Sequence, residues 1–123
     1  LRERLKRYYQ LGARFTKWRG VYNIGEKYPS ELAIKSNAHA LARYAALVQE
    51  AGMVPIIEPE VLMDGNHTSE DCFNKTSEVI KKCFEELELN NVDLKGIILK
   101  PNMILSGKTL KISNLNMVKK NMI

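Results

Sequence analysis

The chain has 123 residues and a formal net charge of +5, with 45% of its residues hydrophobic and 27% charged. That size points to one domain and that balance to an ordinary globular protein. No apolar run approaches the roughly 20 residues needed to cross a bilayer, which excludes a membrane partner at this level.

The longest apolar runs, "MVPII" and "GIIL", are strand-sized. The start, "LRERLKRYYQ", lacks the apolar core of a secretory signal and an initiator Met, which leaves the native start open. Charge is uneven along the chain. Residues 1–19 carry seven Lys/Arg against Glu3, residues 100–123 carry five Lys and no acid, and the middle carries seven bases against thirteen acids. Two basic ends suit an anion. Nucleic acid is not the expected partner, because no aromatic–basic interleaving and no nucleic-acid motif is present. Cys72 and Cys83 lie on what reads as one helix, roughly 16 Å apart along its axis and too far to bridge. A reduced, cytoplasmic compartment is expected. "NHT" and "NKT" match the glycosylation sequon but, with no secretory signal, read as chance.

In chain order, Leu1, Leu5, Tyr8 and Leu11 recur at helical spacing and Gly12 ends the run. "ARFTKWRGVYNI" (13–24) reads as a strand, and Gly25 to Pro29 as a loop. Ser30 fits a helix N-cap. Ile34, Ala38, Leu41, Ala45 and Val48 then form one apolar stripe, with Gly52 as the stop. "MVPIIEPEV" (53–61) is a strand of continuous apolar type, with Pro55 near its start. "LMDGNH" is a loop. Thr68 and Asp71 have capping-box spacing, with Asp replacing the usual Glu. The helix they open runs to about Leu89, with Phe73, Ile80, Phe84 and Leu87 expected on its inner side. "NNVDLK" turns, and "GIILKP" is a third, buried strand.

The order is therefore α-β-α-β-α-β. Strands apolar on both faces and joined by long helices predict a parallel sheet covered on both sides. An open doubly wound sheet and part of a (β/α)8 barrel both fit. The absence of a glycine-rich phosphate loop after any strand weakens the nucleotide-binding form.

What stands at the strand ends carries the chemistry. Strand one holds Lys17 and Arg19, strand two runs into Glu58 and Glu60, and strand three runs into Lys100. In parallel α/β folds the carboxyl ends of the strands line one face, where active sites sit. Structural ion pairs would also place charges there, but all three strands doing so together favours a site. A desolvated lysine beside another cation can act as an amine nucleophile on a carbonyl, with Lys17 as that cation for Lys100. Glu58 would move protons while the carbinolamine loses water, and Arg19 would hold a phosphate with its fork.

Three segments, "ARFTKWR", "LARYAALVQEAGMVPIIEPEVLMDGNH" and "LKGIILKPNM", resemble class I fructose-1,6-bisphosphate aldolase, in the family's order and over roughly residues 1–107. The resemblance implies an α/β fold that is part of a TIM (β/α)8 barrel, matching roughly strands 4–6 with their helices. It implies Lys100 as the Schiff-base nucleophile and Glu58 as the acid/base. Lys17 would be the charge near the cleaved bond and a substrate contact, Arg19 a sugar-phosphate contact, and Glu60 part of the charge network. Pro101 and Asn102 belong to the motif with no chemistry assigned. The implied reaction is reversible cleavage of fructose 1,6-bisphosphate to dihydroxyacetone phosphate and glyceraldehyde 3-phosphate, with no cofactor and no metal. His39 and His67 fit this as surface or helix residues rather than ligands. Complete family members are homotetramers, and nothing in the residues fixes the oligomeric state of this chain.

A barrel of this kind takes about 250 residues. The first three and last two strands have no counterpart here, nor do an early-strand aspartate, the late phosphate site and a C-terminal tyrosine tail. A half barrel is expected to bury too little to be stable or active alone. The alternative to an aldolase is a non-enzymatic remnant or interaction fragment of one. The segment "KTLKISNLNMVKKNMI" (108–123) is expected to match nothing in the family and to lie outside the fold, in keeping with translated non-coding DNA or a partial sequence.

Overall fold

A computed structural model describes residues 1–110 of the chain. Helix α1 (Arg2–Gln10) leads to strand β1 (Phe15–Tyr22), helix α2 (Glu31–Glu50), strand β2 (Val54–Val61), helix α3 (Ser69–Leu89), a 3-10 turn (Leu94–Gly96) and strand β3 (Ile98–Leu99). The strands form one parallel sheet in the order β1-β2-β3. Sequential parallel neighbours joined by helices are what right-handed crossovers produce when both helices fall on the same side.

Local chemistry sets the element boundaries. Ser30 Oγ accepts a hydrogen bond from the Ala33 amide and opens α2. Its stripe of Ile34, Ala38, Leu41, Ala45 and Val48 is buried throughout. Gly52, at φ +80°, takes the left-handed turn that lets the Met53 amide reach back to the Val48 carbonyl at 3.1 Å. Thr68 and Asp71 make the reciprocal capping box at the start of α3. At the other end Asn91, at φ 54°, does what glycine did for α2, and the Val92 amide bonds the Leu87 carbonyl.

Among the described residues the sheet is covered on one face only. Gly20, Tyr22, Ile57, Pro59 and Val61 are buried against α2 and α3. Trp18 lies at the edge of that face with its ring centroid 5.3 Å from that of Tyr44, whose hydroxyl is hydrogen-bonded to Thr16. The opposite face carries Phe15, Lys17, Arg19 and Val21 of β1, all exposed. The expectation of a sheet covered on both sides is thus corrected. The strands would be buried on both faces only if the rest of a barrel closed over the second one.

Two further expectations change. The inner stripe of α3 is Cys72, Thr76, Val79, Cys83 and Leu87. Phe73 is exposed, and Ile80 and Phe84 are only partly buried. The helix is thus rotated relative to the expected stripe, with Cys72 and Thr76 buried where Phe73 is not. "GIILKP" is not a buried strand either: only Ile98–Leu99 pairs with β2, and Ile98 is 50% exposed. What holds β3 in register comes partly from α2. The Gln49 side chain bonds the Asp93 backbone in both directions, Nε2 donating to the carbonyl at 2.8 Å and Oε1 accepting from the amide at 2.9 Å.

After β3 the chain returns to the β2–α3 loop. The Gly107 amide bonds the His67 carbonyl, and the Lys108 amide bonds the Met63 carbonyl, each at 2.8 Å. A Cβ at Gly107 would stand 2.2 Å from the Gly65 carbonyl oxygen, so only glycine fits this crossing. The segment expected to lie outside the fold therefore has its first residues bonded to the loop. Residues 111–123 of that segment are outside the described residues.

The capping box gives a direct test. Thr68→Ala should cost about 1 kcal/mol of stability in urea unfolding, and Thr68→Ser much less. Equal stability of all three forms would contradict the assigned cap.

Candidate active site

Parallel pairing and side-chain alternation decide which residues meet. In the β1–β2 register Lys17 lies opposite Ile56, Arg19 opposite Glu58 and Val21 opposite Glu60. These rows face away from the helices. The β2–β3 pairing runs Ile56 to Ile98 and Ile57 to Leu99, and the Lys100 amide continues it by bonding the Ile57 carbonyl at 2.9 Å. Lys100 therefore falls beside Glu58, one strand over.

Glu58 is the centre of the arrangement. It is 6% exposed, yet two ammonium groups reach it. Lys100 Nζ donates to Oε1 at 2.7 Å, and Lys17 Nζ lies 3.1 Å from Oε2. One strand position further on, Arg19 Nε donates to Glu60 Oε2 at 2.6 Å. All five residues predicted from the strand ends are thus brought together, in two linked ion-pair groups. Arg19, Glu58, Glu60 and Lys100 line a cleft of about 480 Å³, together with Asp64 and Lys108 of the crossing segments.

The electrostatics follow from these contacts. The hydrogen bond from Lys100, helped by Lys17, holds the Glu58 carboxyl below the usual glutamate range, although its burial works the other way. The hydrogen bond that Arg19 donates to Glu60 holds the proton on Arg19 more firmly than usual. The expectation that Lys17 acts on Lys100 directly needs refinement, because a carboxylate stands between them. Lys100 is also more open than a desolvated nucleophile should be, its side chain being 56% exposed. The bare sheet face accounts for that exposure.

Elsewhere, His39 Nδ1 lies 3.1 Å from Glu86 Oε2 on the exposed side of α2, as expected of a surface histidine. His67 departs from expectation: it is 6% exposed, in the loop before α3. Among the described residues no cluster of three His, Cys, Asp or Glu is placed to hold a metal ion. Cys72 and Cys83 are free and buried, and burial pushes the Cys83 thiol up to about 12. Strand-end reasoning missed Asn102, whose side chain ties β2 to α3 immediately after Lys100. Its position next to Pro101, where backbone pairing must stop, was the available signal.

Because the Glu58 pKa is lowered by folding, the group adds stability that is complete above the unfolded glutamate pKa, about 4.3, and is lost as pH falls through the lower folded value. Asp71, lowered by its bonds to Thr68, acts with the same sign. The stability difference between the native chain and Glu58→Gln should therefore be larger at pH 7 than at pH 3. Urea titrations at both values check this, and a difference that grows toward acid would contradict it.

The comparisons with known proteins point to one family. The family model described as fructose-bisphosphate aldolase class-I matches residues 1–120. A probable class 1 fructose-bisphosphate aldolase of Xanthomonas campestris is 57% identical over 108 residues, covering 88% of this chain and 32% of that protein. The cytosolic fructose-bisphosphate aldolase 4 of Arabidopsis thaliana is 52% identical over 107 residues, covering 87% and 27%. The solved structure of fructose-bisphosphate aldolase from Plasmodium falciparum, in complex with TRAP and a small-molecule inhibitor, superposes with a TM-score of 0.92 at 42% identity, covering 95% of this chain and 34% of that one. The chain spans about a third of the length of these relatives. With a family match over residues 1–120 and relatives more than 50% identical, the chain belongs to the class-I fructose-bisphosphate aldolase family.

Proposed function

We propose that this chain carries the Schiff-base part of a fructose-bisphosphate aldolase site and acts in reversible cleavage of fructose 1,6-bisphosphate when the rest of the barrel is present. The observation that carries the reading is the Lys17–Glu58–Lys100 group on three adjacent parallel strands, Lys17 and Glu58 within β1 and β2 and Lys100 just past the end of β3. Relatives named as aldolases support the substrate class, a sugar phosphate.

The chemistry needs Lys100 as a free amine. Glu58 Oε1, 2.7 Å away, is the proton acceptor within reach. While both ammonium groups bear on it, the carboxylate is a poor base. An anionic substrate that engages Lys17 weakens one of those two charges and raises the carboxylate's affinity for the proton. Lys100 Nζ then attacks the ketose carbonyl to form a carbinolamine. Protonation of its hydroxyl by Glu58 releases water and leaves an iminium ion. The iminium takes up the electron pair of the adjacent carbon–carbon bond as the C4 hydroxyl loses its proton, giving an enamine and a free aldehyde. Reprotonation and hydrolysis return the ketone and the lysine. Arg19 is the phosphate contact: Glu60 holds it through Nε, and the terminal amino groups stand outside that pair.

A cytoplasmic setting belongs to the same proposal, supported by the free cysteines and the cytosolic Arabidopsis relative. No helix among the described residues is long and apolar enough to cross a membrane. The bare face bearing Phe15, Val21 and Ile98 supports the condition that turnover needs the missing strands.

Borohydride added to the chain with dihydroxyacetone phosphate should place the trapped adduct on Lys100 ahead of every other lysine, with no cleavage of fructose 1,6-bisphosphate until the missing strands are supplied. Adduct mass spread evenly over the lysines, or absent from Lys100, would overturn the assignment.

A further inference from the structure

We propose that Asn102 is a positioning residue: its side-chain amide replaces the backbone ladder where β3 ends and thereby holds Lys100 on Glu58. The β2–β3 ladder meets two obstacles at the site. Pro59 in β2 and Pro101 after Lys100 have no N–H to give. The last regular rung is the Lys100 amide on the Ile57 carbonyl. Beyond it, the Val61 amide at the end of β2 would lack a partner, and a backbone donor left unpaired in a buried place costs free energy. Val61 is buried.

Asn102 meets this need with its side chain. Its Oδ1 accepts from the Val61 amide at 2.9 Å. Its Nδ2 donates to Thr76 Oγ1 at 3.1 Å and to its neighbour Met103's carbonyl at 3.0 Å, and lies 3.8 Å from Cys72 Sγ. One planar amide therefore joins β2, α3 and the chain leaving β3. Acceptor and donor ends are both used, which fixes the amide's orientation. Pro101 restricts the backbone between the clamp and Lys100. The strand itself has only two paired residues, too few to hold a long lysine side chain at its end. The polar stripe of α3 has the same cause: Thr76 and Cys72 face inward because they receive Asn102.

The role of this clamp in catalysis rests on Lys100 being the amine nucleophile, and the test separates the two claims. Asn102→Ala, Asn102→Asp and Thr76→Val are made in the 123-residue chain. Formaldehyde with cyanoborohydride needs no binding site and reports each amine's surroundings. Dihydroxyacetone phosphate with borohydride reports imine formation. Relative to Lys17, labelling of Lys100 by formaldehyde should change in Asn102→Ala, and its trapping with dihydroxyacetone phosphate should fall about tenfold or more, the order expected of a misplaced reacting group. Thr76→Val, which keeps the Val61 bond, should move both ratios the same way but less. Asn102→Asp keeps the acceptor and should restore part of the formaldehyde pattern if Asn102→Ala fails to fold. If native Lys100 is not trapped at all, the Schiff-base reading fails while the formaldehyde ratios still decide the clamp. Unchanged Lys100-to-Lys17 ratios in Thr76→Val and in the folded Asn102 variants would overturn the proposal, even if those variants melt earlier.

Discussion

A single carboxylate organises this structure. Glu58 is almost fully buried, and a buried carboxylate is tolerated only with compensating charge and hydrogen bonds. Lys17 from β1 and Lys100 from β3 supply them from opposite sides. Each lysine reaches its oxygen only if the parallel register is correct, because a one-residue slip would turn it to the helix face. The pairing of Arg19 with Glu60 repeats the device one position on. The ion pairs therefore constrain the sheet as much as the sheet positions them.

The same arrangement explains why the site is both formed and incomplete. On the helix side, Ile57, Val61, Leu41 and Val48 are packed as in a finished core. On the other side, Phe15 and Ile98 stand exposed beside the charged groups, and the lysines are about half exposed. Electrostatic interactions weaken when water has access, and a nucleophilic amine needs the opposite. Closing this face would bury the apolar residues, exclude water and strengthen the interactions around Glu58 in one step. That is the physical sense in which a segment with about a third of its relatives' length can hold the residues of the proposed site without the setting the proposed chemistry needs.

Much of this was legible in the chain itself, where local chemistry dominates. The α2 stripe, the Ser30 cap, the Thr68–Asp71 box and the Gly52 stop each depend on residues a few positions apart. The convergence of Lys17, Glu58 and Lys100 was readable because parallel register and alternation bring their side chains to one face, although Lys17 and Glu58 lie within β1 and β2 rather than at their ends. Legibility failed where a partner is distant in sequence. Phe73, Ile80 and Phe84 are more apolar than Cys72 and Thr76, yet Asn102 draws the second set inward. "GIIL" looks buried by composition, but burial of Ile98 requires a neighbour that the described sheet lacks. His67 reads as a surface or helix residue, yet it is buried in the loop before α3. The carboxylate between the two lysines was hidden for a related reason: spacing gives the row of a side chain, not the partner it chooses.

The central claim is that Glu58 is held ionised by Lys100 and Lys17 together. Carbon-13 NMR of the Glu58 side-chain carboxyl, titrated in the native chain and in Lys100→Met, tests it most directly. The account predicts a carboxyl that titrates below the usual glutamate range in the native chain and moves upward in Lys100→Met, since the largest contribution to its low value is then gone. A Glu58 that titrates at or above the usual range in the native chain, unmoved by Lys100→Met, would contradict it.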